Sequence, residues 1–222
     1  MSAVIFDCDG VLIDSEPLSV AELGRTLREA GATITDADIY ARMIGRPVAE
    51  IVAIVASEEG VDATALLPAY RARLRQRFTD ELRAIPGIHA ALAALDGVTQ
   101  AVASSSTPAR LEQTLRLTGL WDSFAPHVYS ATEVDRGKPA PDLFLHAAAR
   151  LGVAPADCVV VEDSTAGIRA AQAAGMRVIA FLGGSHVQAA GLASRVAELA
   201  PDAIIAQAAE LPDTVMRMLF RD

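Results

Sequence analysis

The chain has 222 residues, which suffices for one large domain or for a core with a smaller insertion, and 52% of them are apolar against 21% charged, the balance of a globular protein. The net charge of −9 disfavours nucleic acid and anionic membranes as partners, and no apolar run approaches the length of a membrane span. The start shows no basic, apolar leader, and both cysteines, Cys8 and Cys158, lie in strand-like runs. We therefore expect a cytoplasmic protein with reduced thiols.

Strand-like and helical patterns alternate through most of the chain. Short apolar runs predict six strands, at Ala3–Phe6, Thr99–Ala103, Val128–Ser130, Cys158–Glu162, Arg177–Phe181 and Ala203–Ile205. Amphipathic patterns predict helices between and after them, at Pro108–Thr118, Pro141–Leu151, Ser164–Ala174 and about Glu210–Leu219. This alternation predicts an α/β fold with a doubly wound, Rossmann-like parallel sheet.

The stretch from about Ser15 to Arg83 interrupts the alternation, because it contains helical patterns and no convincing strand. The predicted helices are Leu18–Ala30, Asp36–Met43, Val48–Glu59 and Ala63–Phe78. We interpret residues 15–83 as a helical cap domain inserted into a core of residues 1–14 and 84–222. Both ends of the insertion lie near the end of the first strand, where a lid can close over a site and exclude water.

Carboxylates follow two of the predicted strands. The first strand leads into Asp7-Cys8-Asp9-Gly10, and the fourth ends on Glu162-Asp163. Aspartates are seldom buried unless they are paired or bound to metal, and ligands of open α/β sheets bind at the carboxyl ends of strands. Two such acidic pairs on adjacent strands repel each other unless a cation lies between them. Oxygen ligands without clustered His or Cys indicate Mg²⁺.

One basic residue stands apart from the others. Of the 19 basic residues, 18 are arginine and only Lys138 is lysine. A compact ammonium fits between carboxylates and a phosphate where a planar guanidinium does not, although chance composition is the alternative explanation. Ser104 and the N–H of Ser105, at the end of the second strand and close to a helix start, are candidate phosphate contacts. We expect Ser106 and Thr107 to cap that helix.

In chain order, the segments DCDGVLIDSE, VASSS, GKPAPD and VVEDS resemble the motifs of the haloacid dehalogenase-like (HAD) hydrolase superfamily, in its branch of β-phosphoglucomutase and small sugar phosphatases. The resemblance spans nearly the whole chain, including the cap. It implies that Asp7 attacks phosphorus and forms an aspartyl-phosphate. It also implies that Asp9 protonates the leaving oxygen and later deprotonates the attacking water.

The resemblance further implies a set of metal and phosphate ligands. Mg²⁺ would be held by the Asp7 carboxylate, the Asp9 carbonyl and Asp163, with Glu162 close by or acting through water. The phosphoryl oxygens would be bound by Ser104, Ser105 and Lys138. Because family members that do not cleave phosphate esters lack the second aspartate, Asp9 indicates a phosphate ester as the substrate.

Other functions remain open within this interpretation. In the phosphomutases the positions of Ser19 and Val48 hold a histidine and an arginine, so their absence here favours a phosphatase over a mutase. A phosphorelay receiver also surrounds Mg²⁺ with acids, a hydroxyl and a lysine, but on a shorter chain without a cap. A catalytically silent phosphate-binding protein is a further alternative, although every expected reactive group is present.

The sequence does not name the substrate. Arg46, in the loop Met43-Ile44-Gly45-Arg46-Pro47 that resembles the family's specificity loop, and Glu16 at the hinge are candidate substrate contacts. Their alternatives are a solvated arginine and a helix-capping glutamate. The four histidines show no ligand spacing, and we expect each to be structural or exposed. A small cap fits a phosphorylated sugar, sugar acid or polyol. The oligomeric state is open, with a monomer favoured.

Overall fold

A parallel sheet of six strands lies at the centre of the structure, a computed structural model that describes residues 2–42 and 46–220. The strands are β1 (Ala3–Phe6), β2 (Thr99–Ser104), β3 (Val128–Ser130), β4 (Cys158–Glu162), β5 (Arg177–Phe181) and β6 (Ala203–Ile205). Their spatial order is β3-β2-β1-β4-β5-β6, and every neighbouring pair is parallel. The six predicted strands are confirmed, with β2 one residue longer than expected.

The register of the sheet sets the position of the residues that follow β1. Phe6 is paired with Val102 of β2 and with Val161 of β4. Asp7 is therefore level with the carboxyl ends of both neighbouring strands, and its N–H donates to the Val161 carbonyl at 2.9 Å. The strand order reverses between β1 and β4, and the crevice at such a point is where open α/β sheets bind ligands.

The described residues form eleven α-helices. Four of them lie within residues 15–83: α1 (Glu16–Glu29), α2 (Asp36–Arg42), α3 (Val48–Glu59) and α4 (Leu67–Glu81). The others are α5 (Ile88–Ala94), α6 (Pro108–Leu117), α7 (Trp121–Phe124), α8 (Asp142–Leu151), α9 (Thr165–Ala173), α10 (Leu192–Ala197) and α11 (Leu211–Leu219). The predicted helices are confirmed with end points shifted by up to four residues. The sequence pattern does not predict helices α5, α7 and α10, which have seven, four and six residues, because such short segments show little periodicity. Helix α2, also of seven residues, is the exception.

Two apolar layers enclose the sheet. Alternate side chains of β1 point to opposite faces, so Val4 and Phe6 belong to one buried cluster and Ala3 and Ile5 to the other. The first cluster includes side chains of α5, α6 and α11, and the second includes side chains of α8, α9 and α10. Strands covered on both faces are buried throughout, as β1 and β4 are. The predicted doubly wound α/β fold is confirmed.

Helices α1 and α4 pack against each other in the segment between β1 and β2. On α1 the buried apolar residues Val20, Leu23 and Leu27 follow the spacing of one helix face. The buried residues of α4 follow the same spacing, at Leu67, Tyr70, Leu74 and Phe78. Helix α1 begins at Glu16, two residues before its predicted start, because Pro17 fits the first turn, where a missing N–H breaks no helical hydrogen bond.

The two chain crossings between this helical segment and the sheet lie side by side. The Asp14 N–H donates to the Arg83 carbonyl at 3.0 Å, and the Ile85 N–H donates to the Leu12 carbonyl at 2.9 Å. Since residues 12–14 follow directly on the turn after β1, both crossings are fixed at the carboxyl end of that strand.

Both cysteines are free and buried. Burial raises the pKa of the Cys8 thiol and raises the pKa of Cys158 to about 11, so both thiols are protonated and unreactive at neutral pH. None of the helices within residues 2–42 and 46–220 combines the length and apolar character that a membrane crossing requires.

Candidate active site

Three carboxylates from two neighbouring strands meet at the carboxyl edge of the sheet. Asp7 follows β1, Glu162 ends β4 and Asp163 is the next residue. One oxygen of each carboxylate lies within 4.8 Å of the others, and all three residues are buried. Three buried negative charges at such distances are unfavourable unless cations compensate them. The structure thus brings together three of the residues that the sequence suggests for metal binding.

Lys138 supplies one compensating charge. Its Nζ donates to Asp7 Oδ1 at 2.6 Å, to Glu162 Oε1 at 2.8 Å and to the Ala103 carbonyl at 3.0 Å. The side chain is 5% exposed, and the three donors of the ammonium group are all in use. Burial alone would lower the pKa of Lys138, but attraction by Asp7 and Glu162 outweighs it, so the pKa is raised and the group is charged at neutral pH.

A single lysine does not balance the acidic cluster. Burial, the largest cause, raises the pKa of Asp7, with Glu162 and Asp163 adding to the shift and Lys138 opposing it. Burial also raises the pKa of Asp163, and repulsion from Glu162 adds to it. The remaining excess of negative charge and the all-oxygen donor set fit a hard divalent cation.

Asp9 lies in a different environment from Asp7, although only Cys8 separates them. Its carboxylate accepts hydrogen bonds from Ser15 Oγ, from Ser106 Oγ at 2.8 Å and from Arg110 Nη2 at 2.9 Å. Burial would raise the pKa of Asp9, but Arg110 and the two hydroxyl donors outweigh it, so the pKa lies below its ordinary value. The two aspartates of the turn therefore differ in their affinity for protons.

Two glycines make room for the carboxylates. Gly10 has a φ of +85°, and a Cβ there would lie 2.0 Å from Asp163 Oδ2 and 2.8 Å from His186 Cε1. A Cβ on Gly167 would lie 1.6 Å from Glu162 Oε1. Since side chains cannot approach so closely, both positions need glycine to keep these groups in place.

Ser104, the last residue of β2, and the serines that follow it lie at the same edge. Ser104 is buried, and its Oγ accepts from the Ser106 N–H at 3.1 Å, while Ser105 is exposed. The prediction that Ser106 and Thr107 cap α6 is confirmed in part for Thr107 and is wrong for Ser106. Thr107 occupies the N-cap position without a side-chain hydrogen bond, and the Ser106 hydroxyl donates instead to Asp9, a charged and therefore stronger acceptor.

Glu16 lies in the first turn of α1 and interacts electrostatically with charged groups of the site. Burial and the nearby charge of Asp9 raise the pKa of Glu16 to about 7, and the positive charge of Arg110 opposes the shift. Glu16, a candidate substrate contact, is therefore protonated in a substantial fraction of the molecules at pH 7. It lies close to the predicted catalytic groups.

Arg46 is placed differently. It pairs with Glu50 one turn along α3, and its Nε donates to the Arg42 carbonyl at 3.3 Å, with 46% of its side chain exposed. Within the part of the chain that the structure describes, no hydrogen bond joins Arg46 to the acidic cluster. Residues 43–45 of the predicted specificity loop lie outside the described residues.

Two residues at the site were not found by reasoning from the sequence. Arg110 of α6 pairs with Asp9, and His186 is 1% exposed with its Nε2 2.9 Å from Asp163 Oδ2. Burial lowers the pKa of His186, so its ring is neutral at pH 7. The local signals were weak: Arg110 lies in the first turn of a helix after a serine run, and two glycines precede His186.

Comparison with known proteins agrees with this geometry. Residues 4–181 match the family described as haloacid dehalogenase-like hydrolase. A 6-phosphogluconate phosphatase from Escherichia coli (strain K12) is 32% identical over 188 residues, which cover 84% of this chain and 85% of that protein.

Solved structures give the same result. A conserved haloacid dehalogenase-like protein of unknown function from Agrobacterium tumefaciens str. C58 has a TM-score of 0.87 and 38% identity, covering 99% of this chain and 100% of that one. A HAD family hydrolase from Deinococcus radiodurans R1, solved with bound phosphate and sodium, has a TM-score of 0.81 and 32% identity, covering 98% and 96%. The chain therefore belongs to the haloacid dehalogenase-like hydrolases, in the branch of small sugar phosphatases and β-phosphoglucomutase that its four motifs indicate.

Proposed function

We propose that this enzyme, a phosphatase of the HAD type, hydrolyses a small phosphate monoester through an aspartyl-phosphate on Asp7. The observation that carries the proposal is the arrangement after β1, where Asp7 is paired with Lys138 and Asp9 is held apart by its own hydrogen bonds. Two-step ester hydrolysis needs one carboxylate that attacks phosphorus and a second group that moves a proton. The relative named a 6-phosphogluconate phosphatase supports the assignment.

The proposed reaction has two steps. In the first, an Asp7 oxygen bonds to phosphorus while the ester P–O bond breaks, and protonated Asp9 gives its proton to the leaving oxygen. In the second, Asp9 accepts a proton from a water molecule that attacks phosphorus, and the bond between phosphorus and Asp7 breaks. Inorganic phosphate is released, and both aspartates return to their starting states.

Asp9 must be protonated for the first step, yet its pKa is lowered in the structure. The three donors Ser15, Ser106 and Arg110 stabilise the carboxylate, which suits the second step. We expect the bound substrate to take one or more of these donors away from Asp9, so that the aspartate gains a proton when the leaving group is present.

Lys138, Ser104 and Ser105 are the proposed phosphoryl-binding groups. All three donors of the Lys138 ammonium group already have protein acceptors. A phosphoryl oxygen must therefore replace one of these acceptors, and the buried Ser104 hydroxyl and the Ser105 N–H can bind the others.

Mg²⁺ is the proposed cofactor. The Asp7 and Asp163 carboxylates and the Asp9 main-chain carbonyl would hold it, with Glu162 bound directly or through water. When bound, the ion would neutralise part of the charge on the phosphoryl group and on the acidic cluster. The closeness of the three buried carboxylates and their raised pKa values support this assignment.

We also propose that residues 15–83 form a cap over the site and that residues 1–14 and 84–222 form the catalytic core. The adjacent chain crossings at the end of β1 support this division. A contact between the two parts supports it as well, because the guanidinium of Arg110 in the core lies 5.0 Å from the ring centre of Phe78 in α4.

The proposed substrate class is a phosphorylated sugar, sugar acid or polyol, bound in part by Glu16 and Arg46. A cap over a recessed site excludes bulky phosphoproteins. Two buried free thiols suit the reducing conditions of the cytoplasm, where we place the enzyme, and we expect a monomer.

The experiment is phosphate release from a panel of sugar, sugar-acid and polyol phosphates, with Mg²⁺ and with EDTA. Release from a few related esters that EDTA abolishes is the expected result, and the Asp7→Asn variant is the matched control. β-Glucose 1-phosphate is included because its conversion to glucose 6-phosphate with little release would replace the phosphatase by a phosphomutase. No reaction with any ester, including p-nitrophenyl phosphate, would contradict the proposal.

A further inference from the structure

Arg110 lies beside Asp9, the residue that protonates the leaving oxygen in the proposed reaction. Its Nη2 is 2.9 Å from Asp9 Oδ1, and in the proposed reaction Asp9 hands its proton to the leaving oxygen. A group that touches Asp9 is therefore within a few ångströms of the alcohol part of the ester. The ring centre of Phe78 in α4 lies 5.0 Å from the guanidinium carbon, so Arg110 contacts both the sheet edge and the helical segment.

Some N–H donors of the Arg110 guanidinium have no acceptor among the described residues. Its described side-chain hydrogen bond is the one to Asp9, and Nε is buried without a hydrogen-bond partner. A buried donor without a partner is unfavourable, and a ligand oxygen would satisfy it. Lys138, the other cation paired with the aspartates of the turn, has no free donor. Arg110 also remains reachable, since 29% of its side chain is exposed.

The charge around Arg110 decides which ligand it suits. Asp9, Glu16 and Asp163 surround this part of the site with carboxyl groups, and the whole chain has a net charge of −9. These carboxyl groups would not repel a neutral leaving group. They would repel an acidic leaving group unless a cation in the site paired with it. Guanidinium groups match carboxylates in charge and in their planar, two-donor geometry.

We propose that Arg110 is a specificity-determining residue that binds a carboxylate on the leaving group, so that the enzyme prefers phosphorylated acids to the corresponding phosphorylated polyols. This inference rests on the proposed function, because it places the leaving oxygen beside Asp9. The carboxylate would bind N–H donors of the guanidinium that the hydrogen bond to Asp9 leaves free.

The test compares substrates that differ only in one group. 6-Phosphogluconate and sorbitol 6-phosphate form one pair, and 3-phosphoglycerate and glycerol 3-phosphate form another; in each pair a carboxylate replaces a hydroxymethyl group. The readout is the ratio of kcat/KM for the acid to kcat/KM for the polyol. We expect the native enzyme to favour the acid in at least one pair and Arg110→Met to lower that ratio about 30- to 100-fold, the effect of losing a charge-assisted pair.

Two further variants separate recognition from other effects. Arg116→Met removes an exposed arginine of the same helix, which pairs with Glu112, and should leave the ratio unchanged. Arg110→Lys keeps the positive charge but lacks the planar, two-donor geometry of the guanidinium. It should therefore retain only part of the preference for the acid over the polyol. Circular dichroism verifies that each variant is folded, and competitive inhibition by gluconate, weakened in Arg110→Met, gives a measure of binding that does not depend on turnover.

Equal losses for acid and polyol in Arg110→Met would overturn the inference and leave Arg110 as a residue that only positions Asp9. A native enzyme that favours the polyol in both pairs would overturn it as well, although the proposed phosphatase would stand. Absence of phosphate release from every ester would instead overturn the proposed function, and this inference with it.

Discussion

The sheet edge and the helical segment of residues 15–83 use charged residues in opposite ways. At the edge, Lys138 and Asp7 form an ion pair in which the side chains are 5% and 10% exposed. On α4, Arg77 and Glu81 form a pair one helical turn apart in which the side chains are 30% and 47% exposed. The first pair belongs to a coupled cluster of buried charges, and the second is one of several separate pairs on a helix surface.

The residues of exposed ion pairs and those of the buried cluster differ in how easily they can be replaced. An exposed pair contributes only about 0–0.5 kcal/mol to stability, so its residues can be exchanged at little cost. A charge in the buried cluster cannot be removed without leaving its partners uncompensated. The buried cluster at the sheet edge therefore tolerates little change, while exposed charged residues of the helical segment can be exchanged without loss of the fold.

Asp7→Asn should have the largest effect and provides the sharpest test of the buried cluster. The amide cannot attack phosphorus, so we expect kcat to fall by at least about 10⁴-fold. The fold should persist, because asparagine has the same shape and removes one of three crowded negative charges. Single-turnover phosphate release and a thermal melt measure the two properties. Substantial residual turnover would exclude Asp7 as the nucleophile.

Lys138→Arg should be almost as damaging as Lys138→Ala. The ammonium donates to three acceptors in a buried space, and a planar guanidinium does not reproduce that geometry. We expect kcat/KM to fall about 10²- to 10³-fold in both variants, the usual effect of losing an electrostatic contact to the reacting group. Arg136→Lys in the same loop, which changes an exposed side chain, is the control. An active Lys138→Arg variant would show that the single lysine of the chain has no special role.

The sequence was sufficient to predict the polar residues at the carboxyl ends of the buried strands. Asp7, Ser104 and Glu162 each come at the end of an apolar run, and parallel strands bring their carboxyl ends to one edge. Position in such a strand is a local property, so no knowledge of the packing is needed to expect that these side chains meet. The fold could be predicted for the same reason, since alternation of strand and helix determines a doubly wound sheet.

The residues that escaped prediction depend on tertiary packing. Arg110 meets Asp9 only because the first turn of α6 and the turn after β1 come together in the fold, and His186 meets Asp163 only because the loop after β5 folds back over the turn at Gly10. Neither contact leaves a periodic pattern in the sequence. The cap prediction for Ser106 fails for a related reason, because the Asp9 carboxylate that its hydroxyl contacts is 97 positions away in the sequence.

Within the helical segment, Arg73 tests whether a buried ion pair differs from an exposed one. Arg73 pairs with Glu22, whose side chain is 4% exposed, and also donates to Thr26 Oγ1 at 2.8 Å. Arg73→Ala leaves the Glu22 charge buried without a partner, so we expect a loss of about 2 kcal/mol in the free energy of unfolding. Arg77→Ala on the same helix should cost less than about 0.5 kcal/mol.

Urea unfolding followed by circular dichroism measures both changes. The double variant Arg73→Ala with Glu22→Gln should recover part of the lost stability, because no buried charge remains. Equal effects of Arg73→Ala and Arg77→Ala would remove the distinction between the two kinds of pair in this segment.

The smallest expected effect concerns Glu16, which joins the two regions, and it depends on pH. Burial raises the pKa of Glu16 from 4.5 to about 7, so between these values the unfolded chain has lost this proton while the folded protein retains it. Stability from this group is therefore complete below pH 4.5 and is lost as the pH rises towards 7. The shift sets an upper limit of roughly 3 kcal/mol, which partial exposure lowers to about 1–2 kcal/mol. Glu16→Gln does not titrate, so in EDTA it should match the native protein at pH 4 and exceed its stability by that amount at pH 8. Urea unfolding at both pH values measures the difference, and an equal difference at pH 4 and pH 8 would show that Glu16 is as well solvated as an ordinary surface glutamate.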